Sequence, residues 1–218
     1  MKGRILMCVL LFTLLGKTVF SQEKKWGNEV KLGVVLGLTQ PIFVDGFNLE
    51  GVFVYKKFIF DYSHGVSLDF IGESLPKALK DQSLKVHMPF TTGFGFGYRF
   101  TKWLNIRIEP KWHQFEFYYN GEAIADGNKI LEKNTISLGV GLYGFFQPFK
   151  SKNKILQGLT FAPSLRYWPT IKSDLNENGF SYQNKVNGKE EVINTLDPGI
   201  GFTPLIFNLS IGYMFSFK

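Results

Sequence analysis

Cysteine is nearly missing from this chain. Its one copy, Cys8, sits inside an apolar run at the N-terminus. A lipoprotein cysteine closes such a run after small residues, whereas Cys8 follows Met7 and precedes eight more residues of it, which argues against lipidation. With the run removed as a secretory signal, no cysteine remains for disulfides, thiol catalysis or zinc–thiolate sites. Long apolar segments are missing too. Ile5 to Gly16 is a run of twelve residues, short of the ~20 a spanning helix needs, and no later segment carries an apolar stripe of helical period. There are three histidines, His64, His87 and His113, too far apart in sequence to suggest a metal site. Charge of one sign is scarce. The chain has 25 Lys and Arg against 18 Asp and Glu, and without Lys2, Arg4 and Lys17 the balance is 22 − 18 = +4. That is too weak and scattered to suggest nucleic acid. The one glycine-rich run, Gly93-Phe94-Gly95-Phe96-Gly97, alternates with aromatics and opens no helix, so it does not read as a phosphate loop and no cofactor is expected.

What is present begins with a basic Lys2 and Arg4, the apolar run, and a cut expected after Ser21. The expected organisation is a signal peptide over 1–21, a short lead over 22–28 and one domain over 29–218. Aromatics make up 17% of the chain, with 23 Phe. They fall at alternate positions, as on strands whose two faces meet different media. In 29–39, Val30, Leu32, Val34, Leu36 and Leu38 oppose Glu29, Lys31, Gly33, Gly37 and Thr39. In 58–70, Phe58, Phe60, Tyr62, Val66, Leu68 and Phe70 oppose Asp61, Ser63, Gly65, Ser67 and Asp69. In 88–100, Met88, Phe90, Phe94, Phe96, Tyr98 and Phe100 oppose Pro89, Thr91, Gly93, Gly95, Gly97 and Arg99. Aromatics opposed by bare glycine suit a narrow barrel, where glycine makes room for large lumen side chains. Further strands are expected at 48–56, 104–112, 136–146, 159–167 and 205–217. The predicted fold is therefore all-β, an eight-stranded antiparallel up-and-down transmembrane β-barrel. Its short turns at 56–57, 101–103 and 148–154 would be periplasmic. The longer connections at 40–47, 71–86, 118–134 and 170–198 would lie outside, the last three as mixed-charge, solvated loops. Pro110 and Pro163 fall inside strands and predict bulges, and the apolar phase is expected to slip between Trp112 and the odd series Phe115, Phe117, Tyr119.

The C-terminal Leu209-Ser210-Ile211-Gly212-Tyr213-Met214-Phe215-Ser216-Phe217, with the alternation over 29–218, resembles the small bacterial outer-membrane β-barrels. These are the OmpX- or OmpW-like proteins and the short porin-family barrels of Bacteroidota; this chain departs from the pattern only by Lys218 after the final aromatic. The resemblance implies location in the cell outer membrane and contact with outer-membrane lipid and lipopolysaccharide. It also implies an assembly signal, Tyr213, Phe215 and Phe217, read by the barrel assembly machinery.

The alternation turns most strand charges inward, including Glu29, Lys31, Glu50, Asp61, Asp69, Arg99, Arg107, Glu109, Lys111 and Arg166. In so narrow a lumen both signs should pair into a closing network. Asp61, Arg99 and Arg107 are expected in one layer, with Asp61 reaching Arg99. This favours a structural or surface-interaction protein that works, with an unidentified partner, at its outer loops. Two rivals remain. A lipid-modifying enzyme would centre on His64, whose phase faces lipid, but it would need a serine in reach and a group to orient the imidazole; Ser63 points the other way. A narrow channel for small solutes is the other.

Overall fold

The computed structural model describes residues 26–70, 83–149, 154–175, 179–193 and 205–217. The expected signal peptide over 1–21, most of the connection at 71–86 and residues 194–204 lie outside them. The strands are β1 (Val30–Gly37), β2 (Phe47–Tyr55), β3 (Phe58–Phe70), β4 (Leu84–Arg99), β5 (Leu104–Tyr119), β6 (Leu131–Gly144), β7 (Leu159–Tyr167), β8 (Thr170–Ser173), β9 (Phe180–Gln183), β10 (Glu190–Ile193) and β11 (Leu205–Phe217). Two helical turns, α1 (Thr39–Phe43) and α2 (Lys154–Gln157), sit in connections. Antiparallel pairing runs β5-β4-β3-β2-β1-β11-β7-β6, and β6 pairs back on β5, so eight strands close a ring. Short β8 extends the line of β7 along β6, and β9 and β10 form a separate hairpin.

The pairing register fixes the shape. Val30, Tyr55, Phe58, Tyr98, Ile106, Leu142, Leu165 and Phe207 are partners in succession around the ring. Phe207 lies three residues beyond the last β11–β1 pair, Ser210 with Gly37, and is thus level with residue 40. The stagger is 40 − 30 = 10 residues. On eight strands this tilts each by ~41°, so a residue climbs ~2.5 Å along the barrel axis and each step to the next strand adds ~3 Å. Both described termini lie at one end, called the lower end below.

Outward side chains form an apolar belt from Val30 and Phe215 up to Val66, Trp112 and Ile136. By the same geometry it is about 28 Å tall, close to the ~25 Å band of membrane barrels. Cross-strand aromatics such as Phe60–Phe96 and Tyr62–Phe94, with ring centroids 5.2 Å apart in each pair, tile it. The inner face is interleaved. A Cβ on Gly95 would fall 2.1 Å from the Asp61 carboxylate, one on Gly97 2.7 Å from the Arg107 stem, and one on Gly139 1.9 Å from the Trp168 ring. Each of these inward glycines is roofed by a large neighbour, the use the alternation suggested for them.

Above the belt the wall continues on β3 to β6 with its polarity exchanged. Outward positions become Asp69, His87, Gln114 and Asn134. Inward ones become Leu68, Phe70, Leu84, Val86, Met88, Phe115, Phe117 and Leu131, which pack in one core with Tyr182 of the β9–β10 hairpin. This cap rises about 15 Å beyond the belt. Two strands change phase to build it. On β3, Val66 and Ser67 are both exposed, Ser67 with a left-handed φ of 52°. On β4, four steps from His87 to Thr91 face three from Glu116 to His113, a bulge around Pro89. Several expectations change accordingly. Met88, Leu68 and Phe70 face in, and Asp69 faces out. The phase of β5 does not slip: Phe115 and Phe117 continue the inward series of Arg107, Glu109, Lys111 and His113, which turns from charged to apolar. Pro110 and Pro163 cause no bulge. Each occupies an ordinary register position, Pro110 opposite Leu138 and Pro163 opposite Leu209.

Candidate functional site: the filled lumen

From the lower end upward the lumen is built in layers. The floor holds Arg99, which donates to Glu29 at 2.9 Å, to the Lys56 carbonyl at 3.1 Å and to the Lys102 carbonyl at 2.8 Å. Lys31 joins Glu29 at 3.4 Å and donates to Gln147. A void of about 20 Å³ lies between Lys31, Arg99 and Lys102, room for about one water. The next layer centres on Arg107. It donates to Glu50 at 2.5 Å, to Asp61 at 3.0 Å and to Asn105 at 2.8 Å, with its guanidinium 4.2 Å from the centre of the Tyr143 ring. The expectation that Asp61 reaches Arg99 is corrected here. Asp61 lies over Gly95, opposite in register, while Arg99 sits four residues further down β4, at the level of Glu29. The stagger puts Glu50, not Arg99, beside Asp61.

Above it, Glu109 and Lys111 stand 3.9 Å apart. The Lys111 ammonium and Arg166 guanidinium lie 4.2 and 4.6 Å from the Trp168 ring centre, and the Trp168 indole N–H donates to the Glu109 carbonyl at 3.2 Å. Such cation–aromatic contacts strengthen away from water. The six charges named from the sequence, Asp61, Arg99, Arg107, Glu109, Lys111 and Arg166, all face the lumen and are all buried, Arg107 and Glu109 to 1% exposure.

A neutral layer follows. His113 is buried and bridges two strands, its Nδ1 2.7 Å from Thr91 Oγ1 and its Nε2 2.6 Å from Ser137 Oγ. The atoms have the spacing of a serine–histidine pair with an orienting hydroxyl, but Ser137 is fully buried beneath the apolar cap, where no substrate carbonyl can reach it. His64 lies between Leu49 and Thr92 in register, on the outward face. Its neighbour Ser63 is buried on the lumen side, so the pair never meet. His87 pairs with Asp69 outside the cap.

Sequence reasoning missed Tyr143, Trp168 and the Thr91–His113–Ser137 bridge. Tyr143 carried a signal, since it continues the inward series of Gly139 and Gly141. Trp168 carried the same signal, since it continues the inward series of Ser164 and Arg166 one step past the end of β7.

An outward apolar belt and a lumen of buried charges define a closed eight-stranded β-barrel of the transmembrane kind. No family model matches the chain, and no curated protein matches it. Among solved structures, it is similar to a major outer membrane protein from Thermus thermophilus, at 13% identity and a TM-score of 0.44, over 86% of this chain and 99% of that one. It is also similar to Ail, the attachment invasion locus protein of Yersinia pestis, at 12% identity and a TM-score of 0.40, over 86% and 97%.

Proposed function

We propose that the protein is a small barrel of the bacterial outer membrane, closed to solutes, whose structural or interaction role is exercised at its upper, outward end. The observation that carries this is the cap. A wall that only had to span lipid would end with the belt, yet β3 to β6 go on with polar residues outside and an apolar core inside, the arrangement a sheet adopts in water. The turn end is then periplasmic. The outer loops meet lipopolysaccharide and any protein partner, and Tyr213, Phe215 and Phe217 on β11 serve the barrel assembly machinery.

Closure follows from burial. Ions crossing the lumen would have to break Arg107 from Glu50 and Asp61 and separate the Glu109–Lys111–Trp168 layer, each a buried and interlocked set. Catalysis is not part of this reading, since His64 and its neighbour Ser63 face opposite sides of the wall and Ser137 is sealed. The test has two arms. Purified barrel in planar bilayers should give no conductance steps, and outer-membrane lipids from a deletion strain should match those of its parent by mass spectrometry. Steady conductance would establish the channel instead, and a lost acyl modification the enzyme.

A further inference from the structure

The charges of the lumen do not balance at every level. In the two layers above the floor, Glu50, Asp61 and Glu109 stand against Arg107, Lys111 and Arg166, so the signs cancel. At the floor, Lys31, Arg99 and Lys102 gather around a single acid, Glu29, and no other described residue at this end is acidic. Arg99 is satisfied there by Glu29 and two carbonyls. The lysines are not. The Lys31 ammonium, a triple donor, has Glu29 and Gln147 each at 3.4 Å, beyond the usual hydrogen-bond range. The Lys102 ammonium finds no acceptor among the described residues.

Both lysines line the same void, of about 20 Å³. Half-buried Lys31, Lys102 and Gln147 border it toward the lower opening. Val54, Phe145 and Met214 close it toward the lumen, as the foot of an apolar cluster that continues to Val52 and Ile59. A void of this size among polar groups holds an occupant, and it has room for one water molecule or one monatomic ion. Charge chooses between them. Water would leave two positive charges without a counter-ion at the edge of an interior where uncompensated charge is costly. An anion answers both ammonium groups at once, and the apolar roof favours one that sheds its hydration easily.

We infer that the lumen floor binds one halide ion, chloride or bromide, between Lys31 and Lys102. The inference needs the filled lumen but not the membrane placement proposed above. The ion enters from the lower end and goes no further, because the interlocked Arg107 layer stands over it.

The test folds the barrel in detergent in sodium chloride or in sodium gluconate at equal ionic strength. Screening is then the same, and gluconate is too large for the void. A ligand that binds the folded state alone stabilises it with the logarithm of its concentration. The urea midpoint should therefore climb with chloride and stay level with gluconate, and the chlorine NMR line should broaden as barrel is added. Lys31→Gln and Lys102→Gln should each weaken chloride binding about tenfold. Lys57→Gln, whose ammonium lies over Trp26 instead, should bind as wild type does. Heat-modifiable migration shows which variants have folded. Where a lysine variant has not, crystals of the wild-type barrel grown in bromide decide, with an anomalous peak expected beside Lys31 Nζ. Equal midpoints in the two salts with an unbroadened line, broadening that survives both substitutions, or bromide located elsewhere would overturn the inference and leave water in the floor. None of these results touches the barrel's place in the membrane.

Discussion

At the scale of residues, the lumen is a set of dependencies between a glycine and what lies over it. Arg107 is held by Glu50 and Asp61 together, and breaking a buried charge pair costs about 3–5 kcal/mol because the other partner is left without its counter-ion. Asp61→Ala should therefore lower the urea midpoint of the detergent-folded barrel clearly, whereas Asp126→Ala, in a fully exposed turn, should leave it in place. Gly95→Ala should resemble Asp61→Ala without touching a charge, since its methyl occupies the space of the Asp61 carboxylate. Gly51→Ala is the control, because a Cβ there meets nothing nearer than 4.0 Å. An unchanged midpoint for Gly95→Ala would mean that Asp61 has another place to go. Which way each of these residues points was legible in the sequence, because alternation is local. Which partner it takes was not. Partners across strands depend on the stagger around the whole ring, and no single strand records that number.

The elements carry their own lesson at Ser67 and Pro89. Pro110 and Pro163 drew notice as prolines inside strands, yet the bulge belongs to Pro89. That exchange of faces was hidden because Met88, Phe90, Leu68 and Val66 are all apolar. Where both rows are apolar at the crossing, hydrophobicity cannot tell one phase from the other. Cysteine substitution can, since the described residues contain no cysteine of their own. With an aqueous maleimide applied to intact cells, His87→Cys on the outer face of the cap should label, while Met88→Cys in its core and Phe94→Cys in the belt should not. Labelling of Met88→Cys with His87→Cys silent would return β4 to an unbroken alternation. The last strand is exposed to a different test. β11 closes the ring on β1 through pairs from Gly37–Ser210 to Val30–Phe217. Deleting Phe217 and Lys218 together removes the final pair and its aromatic, and should leave no heat-modifiable barrel in the membrane fraction. Deleting Lys218 alone should change little, and a normal barrel after the double deletion would dismiss Phe217 as part of the assembly signal.

For the molecule as a whole, the strand number and the sense of inside and outside were readable in advance, and the cap was not. The reading assumed one medium outside every strand, whereas β3 to β6 pass through two. If the whole lumen is as closed as its buried charges make it, conductance should stay at baseline between pH 5 and 8; opening at either end of that range would locate a gate among the lumen carboxylates. The change of medium along one wall also has a bearing on how the barrel reaches its place. Asp69, His87, Glu116 and Glu132 must be carried across the full hydrocarbon thickness before they meet water again, while Phe58, Phe96 and Tyr98 must stop short of it. Once the crossing is complete, the polar collar resists being drawn back and the aromatic belt resists going further. The step in polarity is therefore a latch, setting both the direction of insertion and the depth at which it ends.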